Sequence, residues 1–157
     1  MQLTSSFFTQ GGEIPARFSC EGENVSPEFS WKEVPQQTKA FALIVHDPDA
    51  PRPGGFTHWV IYNIPGDKGS VGPEVPKEET IPGVGMQGKN DKGEFGYTGP
   101  CPPSGKHRYF TRLFALDSKL SIEPGATHET LTNAMKGHIL AQTELMGTYE
   151  KRGKKAA

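Results

Sequence analysis

Two carboxylates and an imidazole are the first residues with chemistry to offer. Asp47 and Asp49 sit in the segment Asp47-Pro48-Asp49-Ala50-Pro51, and His58 follows shortly after. Pro48 and Pro51 restrict the backbone around both acids, and Ala50–Pro51 is a bond where a cis peptide can occur. A carboxylate beside an imidazole suits an acid–base pair or an anion site that shares a proton. With His107 added, a metal centre is conceivable, but no HExxH or CxxC pairing accompanies these residues, so no metal or other cofactor is expected. A hydrolase would want a G-x-S-x-G elbow or a third triad member, and neither is evident. Cys101 as a nucleophile would lie between Pro100 and Pro102, which remove two N–H donors and leave a poor oxyanion hole. Binding is therefore expected here, not catalysis.

A second feature is the loop Gly96-Tyr97-Thr98-Gly99-Pro100-Cys101-Pro102-Pro103-Ser104-Gly105, which leads into Lys106-His107-Arg108-Tyr109. Its glycines let backbone N–H groups turn inward as an anion nest. Its prolines hold the loop in shape before a ligand arrives. By contrast, Gly83-Val84-Gly85-Met86-Gln87-Gly88 matches G-x-G-x-x-G only as a string. Pro82 precedes it and Lys89-Asn90-Asp91 follows, so the strand and helix of a dinucleotide site are missing.

These side chains meet only if the elements bring them together. Phe41–Val45 is a near-continuous apolar run and reads as a strand buried on both faces. Phe56–Ile64 is aromatic and β-branched, and His107–Leu116 alternates; both read as strands. Weaker strands are expected at Leu3–Phe8 and Glu28–Trp31. If the first two strong strands are neighbours, the aspartate turn lies near one end of the second. Asp47 and His58 would then meet at a rim of the sheet. One helix is expected over His128–Lys136, capped by Thr127 and ended by Gly137. His138–Tyr149 fits helix or strand, with a strand favoured at Thr143–Glu150. Gly66–Phe95 reads as surface loop. The pattern implies a mostly β protein, a β-sandwich with one or two peripheral helices.

Bulk properties narrow the classes. The 157 residues suit a single domain, and glycine (19) and proline (14) imply many turns without a repeat. A net charge of −1 with interspersed signs directs the chain neither to nucleic acid nor to an anionic membrane. No apolar run is long enough for a membrane span. Residues 151–157 read as a frayed basic tail. MQLTSSFF lacks the basic and apolar regions of a secretory leader, so a cytoplasmic protein with reduced thiols is expected. Cys20 and Cys101 are too few for a disulfide framework. Each is expected as a buried free thiol, with a redox-sensitive bridge as the alternative if the fold brings them close. The Asn24-Val25-Ser26 sequon would then be idle.

Taken in order, DPDAP, GGFTHWVIYNIP (Gly54–Pro65) and GYTGPCPPSGKHRYF (Gly96–Phe110) resemble the phosphatidylethanolamine-binding protein family. FSCEGENVSPEFSW (Phe18–Trp31) and GHILAQTELMGTY (Gly137–Tyr149) are similar to its prokaryotic, Raf-kinase-inhibitor-like branch. The resemblance implies two antiparallel sheets in a Greek-key sandwich. It implies a pocket for phosphate, acetate or phosphorylated head groups such as phosphoethanolamine. Asp47, Asp49, His58, Gly99, Cys101, His107 and Tyr109 would bind the anion. Pro51, Pro100, Pro102, Pro103 and Arg108 would wall the pocket. On this reading His58, Tyr109 and the amides near Gly99 and Cys101 donate to the anion, while Asp47 fixes the His58 tautomer or shares a proton with the ligand. Eukaryotic members often carry two adjacent histidines where this chain has Thr57-His58. The shorter termini argue against carrying over kinase regulation. Some members inhibit proteases or act as adaptors, a role that the loop Gly83–Phe95 would serve here. Prokaryotic relatives often pair, which implies a homodimer, although no stripe in the sequence marks an interface.

Overall fold

The computed structural model describes residues 1–152. Its strands are β1 (Gln2–Thr4), β2 (Phe29–Lys32), β3 (Ala40–Asp47), β4 (Phe56–Pro65), β5 (Ser70–Val71), β6 (Thr80–Ile81), β7 (Gly85–Gln87), β8 (His107–Leu116) and β9 (Ile139–Tyr149). A 3₁₀ turn covers Ala16–Phe18, and one α-helix, α1, covers His128–Met135. Two antiparallel sheets result, ordered β1-β2-β5 and β6-β7-β4-β3-β8-β9. In the larger sheet, β3, β4 and β7 lie in succession and β8 returns beside β3, which is the Greek-key arrangement.

The apolar run of β3 explains why the sheet sits at the centre. Phe41, Leu43 and Val45 face the sandwich core with Phe29, Trp31, Trp59, Ile61 and Leu113. Ala42 and Ile44 face the other way and meet Val60, Tyr62, Leu131 and Met135 beneath α1. A strand covered on both faces needs apolar residues at successive positions, not alternate ones. Thr127 caps α1 by accepting the Thr130 N–H at 3.2 Å. Gly137 follows with φ of +82°, a conformation that is cheap only for glycine.

Several expected boundaries move. β1 stops at Thr4, because the Ser5 hydroxyl donates to the Glu28 carbonyl and Ser6 turns to the Glu28 carboxylate. β9 begins at Ile139, not Thr143, because β8 offers partners along its whole length, from Leu116 opposite Ile139 to His107 opposite Tyr149. The expected loop Gly66–Phe95 contains three short strands, and the G-x-G-x-x-G string supplies β7 at an edge of the sheet, with no helix after it. No peptide bond among the described residues is cis, Ala50–Pro51 included. Within the expected frayed tail, the Arg152 N–H donates to Glu21 at 2.8 Å; the remainder, 153–157, lies outside the described residues. Among the described residues, no helix is long and apolar enough to cross a membrane.

Candidate anion-binding site

The antiparallel pairing of β3 with β4 sets Asp47 opposite Phe56, so the aspartate turn folds over the start of β4. β8 flanks β3 on the other side and starts at His107. Three strand ends therefore converge on a pocket of about 330 Å³. Its floor holds Asp47, His58, His107 and Tyr109, all less than 9% exposed. Pro51, Pro102, Pro103, Gly99 and Cys101 form walls, as expected, and Phe56 adds an apolar side.

The hydrogen bonds reassign the expected roles. Asp47 does not hold His58. Its Oδ2 accepts from His107 Nδ1 at 2.6 Å, and its Oδ1 accepts from the Asp49 N–H at 2.7 Å. His58 Nδ1 lies 2.8 Å from the Thr98 carbonyl oxygen. A carbonyl only accepts, so Nδ1 carries the proton and Nε2 is the bare nitrogen of the neutral ring. Burial pushes the His58 pKa down to about 4, so at neutral pH Nδ1 donates to Thr98 and Nε2 can only accept. Tyr109 places a hydroxyl at the same floor. Its hydroxyl is buried and is the one buried side-chain polar atom among the described residues that lacks a hydrogen-bond partner. Burial, reinforced by the Asp47 charge, raises its pKa far above the usual phenol range, which keeps the proton on the oxygen.

Three expected site residues do not line the pocket. Asp49 turns outward to Arg108, taking Nε and Nη2 at 2.9 Å each and the Arg108 N–H at 2.9 Å. The Arg108 hydrogen bonds lower the Asp49 pKa to about 2. This fork latches the aspartate turn to β8, so Asp49 and Arg108 position the pocket from outside it. Pro100 also lies outside the lining, its carbonyl engaged by the Cys20 N–H at 3.1 Å. Gly99 is in place, but its N–H donates to Asn24 Oδ1 at 2.7 Å and is not available to an anion. A side chain at 99 would set its Cβ 2.1 Å from the Phe18 carbonyl oxygen, so only glycine fits that approach.

The sequence reading missed residues as well. Asn24 braces the wall, and Arg52 and Lys92 line the pocket as exposed cations. Arg52 also stacks over Phe56, 5.4 Å from the ring centre. Phe56 opens β4, so a cation four residues before the strand was the one available signal for Arg52. The expectation of free thiols is overturned: Cys20 and Cys101 form a disulfide in the pocket wall, with Cα atoms 5.4 Å apart. The fold folds the 3₁₀ turn against the glycine-proline loop, a contact between segments 81 residues apart that spacing alone does not reveal. Among the described residues, no group of three or more His, Cys, Asp or Glu is arranged to hold a metal ion.

Sandwich and pocket together define a β-rich domain with a cleft at the ends of three strands, its floor made of buried side chains. Comparison with known proteins places it. The model of the family described as phosphatidylethanolamine-binding protein matches residues 4–150. A UPF0098 protein of Methanothermobacter thermautotrophicus is 50% identical over 151 residues, covering 96% of this chain and 99% of the relative. A UPF0098 protein of Aquifex aeolicus is 44% identical, covering 96% and 89%. Among solved structures, the phosphatidylethanolamine-binding protein homologue CT736 of Chlamydia trachomatis superimposes with a TM-score of 0.88 at 44% identity, over 96% of this chain and 97% of that one. YbcL of E. coli, described as a new member of the mammalian family, gives 0.89 at 31% identity, over 96% and 98%. The chain belongs to the phosphatidylethanolamine-binding protein family.

Proposed function

We propose that the chain is a binding protein for small oxyanions: phosphate, acetate or a phosphorylated head group such as phosphoethanolamine. The carrying observation is Tyr109, a buried hydroxyl with no partner, held protonated at the floor of a pocket. A buried donor left without an acceptor is costly unless a ligand supplies one. Arg52 and Lys92 attract negative charge at the pocket while the floor reads it. The floor also holds Asp47 and the bare Nε2 of His58, which accept. A fully ionised phosphate meets them badly, whereas its protonated form gives a P–O–H to one of these acceptors and takes the Tyr109 hydrogen bond on another oxygen. The family name fits a phosphoethanolamine head group in the same place.

The reading is a binding site, not an enzyme active site. Asp47 is paired to His107 and not to His58, which removes the expected acid–base pair, and Cys101 is bonded to Cys20, which removes the thiol nucleophile. The cytoplasmic setting expected from the sequence remains part of the proposal. There, the exposed disulfide faces a reducing pool.

Titration calorimetry with phosphoethanolamine tests the proposal. A phosphate monoester has a second pKa of about 6. Affinity should therefore rise about tenfold or more from pH 8 to pH 6, as the monoanion becomes available. Tyr109→Phe should lose about tenfold or more in affinity, and His58→Ala should abolish binding while circular dichroism stays native. Affinity unchanged in Tyr109→Phe removes the proposed donor; affinity flat with pH removes the shared proton.

A further inference from the structure

The pocket wall is fastened by a bond that a reductant can open. We propose that Cys20–Cys101 is a redox gate on the anion pocket: intact, it holds the wall in its binding shape; reduced, it lets the wall loosen and the anion escape. The inference rests on the anion-site reading above and adds its regulation.

Three observations carry it. Both half-cystines line the pocket, and both residues are exposed. The wall belongs to no sheet: the residues between Tyr97 and Lys106 form no strand, and Pro100, Pro102 and Pro103 have no N–H with which to build one. The disulfide joins it to the 16–24 segment, together with hydrogen bonds from Cys20 N–H to Pro100 O at 3.1 Å, from Gly99 N–H to Asn24 Oδ1 at 2.7 Å and, at the root of the loop, from the Tyr97 hydroxyl to Phe18 O at 2.5 Å. The covalent tie lies in the lining itself, where Pro102 and Pro103 follow Cys101.

The chemistry needs an external dithiol. One thiolate of that reductant attacks an exposed sulfur of the pair, the S–S bond breaks, and a mixed disulfide forms. The second thiol of the reductant displaces the cysteine. Cys20 and Cys101 end as thiols with two added protons, and the dithiol ends as a disulfide, having supplied two electrons. The consequence follows from preorganisation. A wall held in place before the anion arrives does not have to be ordered by it, whereas a loose wall subtracts that ordering from the binding free energy. The root of the loop also carries the Thr98 carbonyl that fixes the His58 tautomer, so loosening reaches the floor.

Calorimetric titration with inorganic phosphate at pH 6 tests the gate on three samples: oxidised protein, the same protein reduced with dithiothreitol, and Cys20→Ser/Cys101→Ser. Thiol counting confirms the redox state, and circular dichroism confirms the fold. The expected result is affinity about tenfold weaker in the reduced protein and in the variant, restored on reoxidation of the wild type, with the variant indifferent to dithiothreitol. Equal affinity in oxidised and reduced wild type overturns the gate and leaves the anion site standing. Absence of phosphate binding in every sample overturns both. Should the variant fail to fold, the reduced and reoxidised wild type decides the matter alone.

Discussion

Each imidazole at the pocket floor has one nitrogen engaged by the protein: His107 Nδ1 by Asp47 and His58 Nδ1 by Thr98. Hydrogen bonds of this kind fix the tautomer of a neutral ring. His58 makes the stability of the fold sensitive to pH. Its pKa falls from the ordinary 6.5 to about 4, with burial as the main cause and the Thr98 and Asp47 contacts opposing it. The unfolded chain takes up this proton as pH drops through 6.5, while the folded chain withholds it until about 4. Between those values the unfolded state binds more protons, so stability is lost as pH falls. At about 1.4 kcal/mol per unit the contribution is about 3 kcal/mol across the window. Urea unfolding of wild type and His58→Asn at pH 7 and pH 4.5 checks it: Asn can still donate to Thr98 but cannot titrate. The wild type should lose more stability than the variant on acidification, and parallel losses would contradict the assignment to His58. His46 and His128, whose values burial also lowers, are present in both proteins and cancel.

At the scale of elements, one residue step divides two environments. His58 faces the pocket, whereas Thr57 faces α1, where its hydroxyl lies 3.0 Å from His46 Nδ1 and 2.8 Å from His128 Nδ1. A hydroxyl has one proton, so it gives to one ring and takes from the other, docking the start of α1 on the sheet. Thr57→Val keeps the shape and leaves two imidazole nitrogens without this partner. It should destabilise the fold by about 1–3 kcal/mol in urea unfolding, and oxyanion affinity by calorimetry should stay at the wild-type value because residue 57 is on the opposite face. A large loss of affinity would place Thr57 in the binding machinery. The same alternation sends Thr57 away from the pocket floor and His58 into it. How much was legible follows from these elements. The apolar run of β3, the aromatic run of β4 and the alternation of β8 carry the large sheet in the sequence, and with it the approach of Asp47 and His58 at one rim; His107 and Tyr109 entered the site only through the family resemblance. Periodicity assigns a face, but it does not tell which imidazole reaches Asp47. That depends on the irregular register between Val45 and His46 in the β3–β4 pair. Asp49 was misread for a related reason: its motif neighbour Asp47 points inward, but Arg108 draws Asp49 out. The short strands β5, β6 and β7 had no pattern long enough to announce them; they exist because neighbouring strands leave edges to be paired.

For the whole molecule, the pocket is where distant parts of the chain are joined. Its floor comes from the larger sheet, one wall from the loop before β8, and the brace for that wall from residues 16–24, which lie between β1 and β2. Cys20–Cys101 closes the joint across a separation of 81 residues. A cross-link of that span restricts the unfolded chain far more than the folded one, and loop entropy assigns it about 4 kcal/mol. For a chain of this size, each kcal/mol moves the midpoint by roughly 2–4 °C, so reduction should lower Tm by about 10 °C. Differential scanning calorimetry with and without reductant measures this, with Cys20→Ser/Cys101→Ser as the reference that reductant should not change. The location of the bond sharpens the expectation. Because it ties a loop and a turn, not the packed strands, the reduced protein should still unfold in one cooperative transition, at lower temperature, while below that transition amide exchange should accelerate first within residues 99–105 through local opening of the wall. A Tm unchanged by reduction would mean that the 16–24 segment is already held by its hydrogen bonds in the unfolded ensemble or that the bond contributes nothing to holding the two ends of the chain together; acceleration spread evenly over β3, β4 and β8 would mean that the wall and the sheet form one cooperative unit.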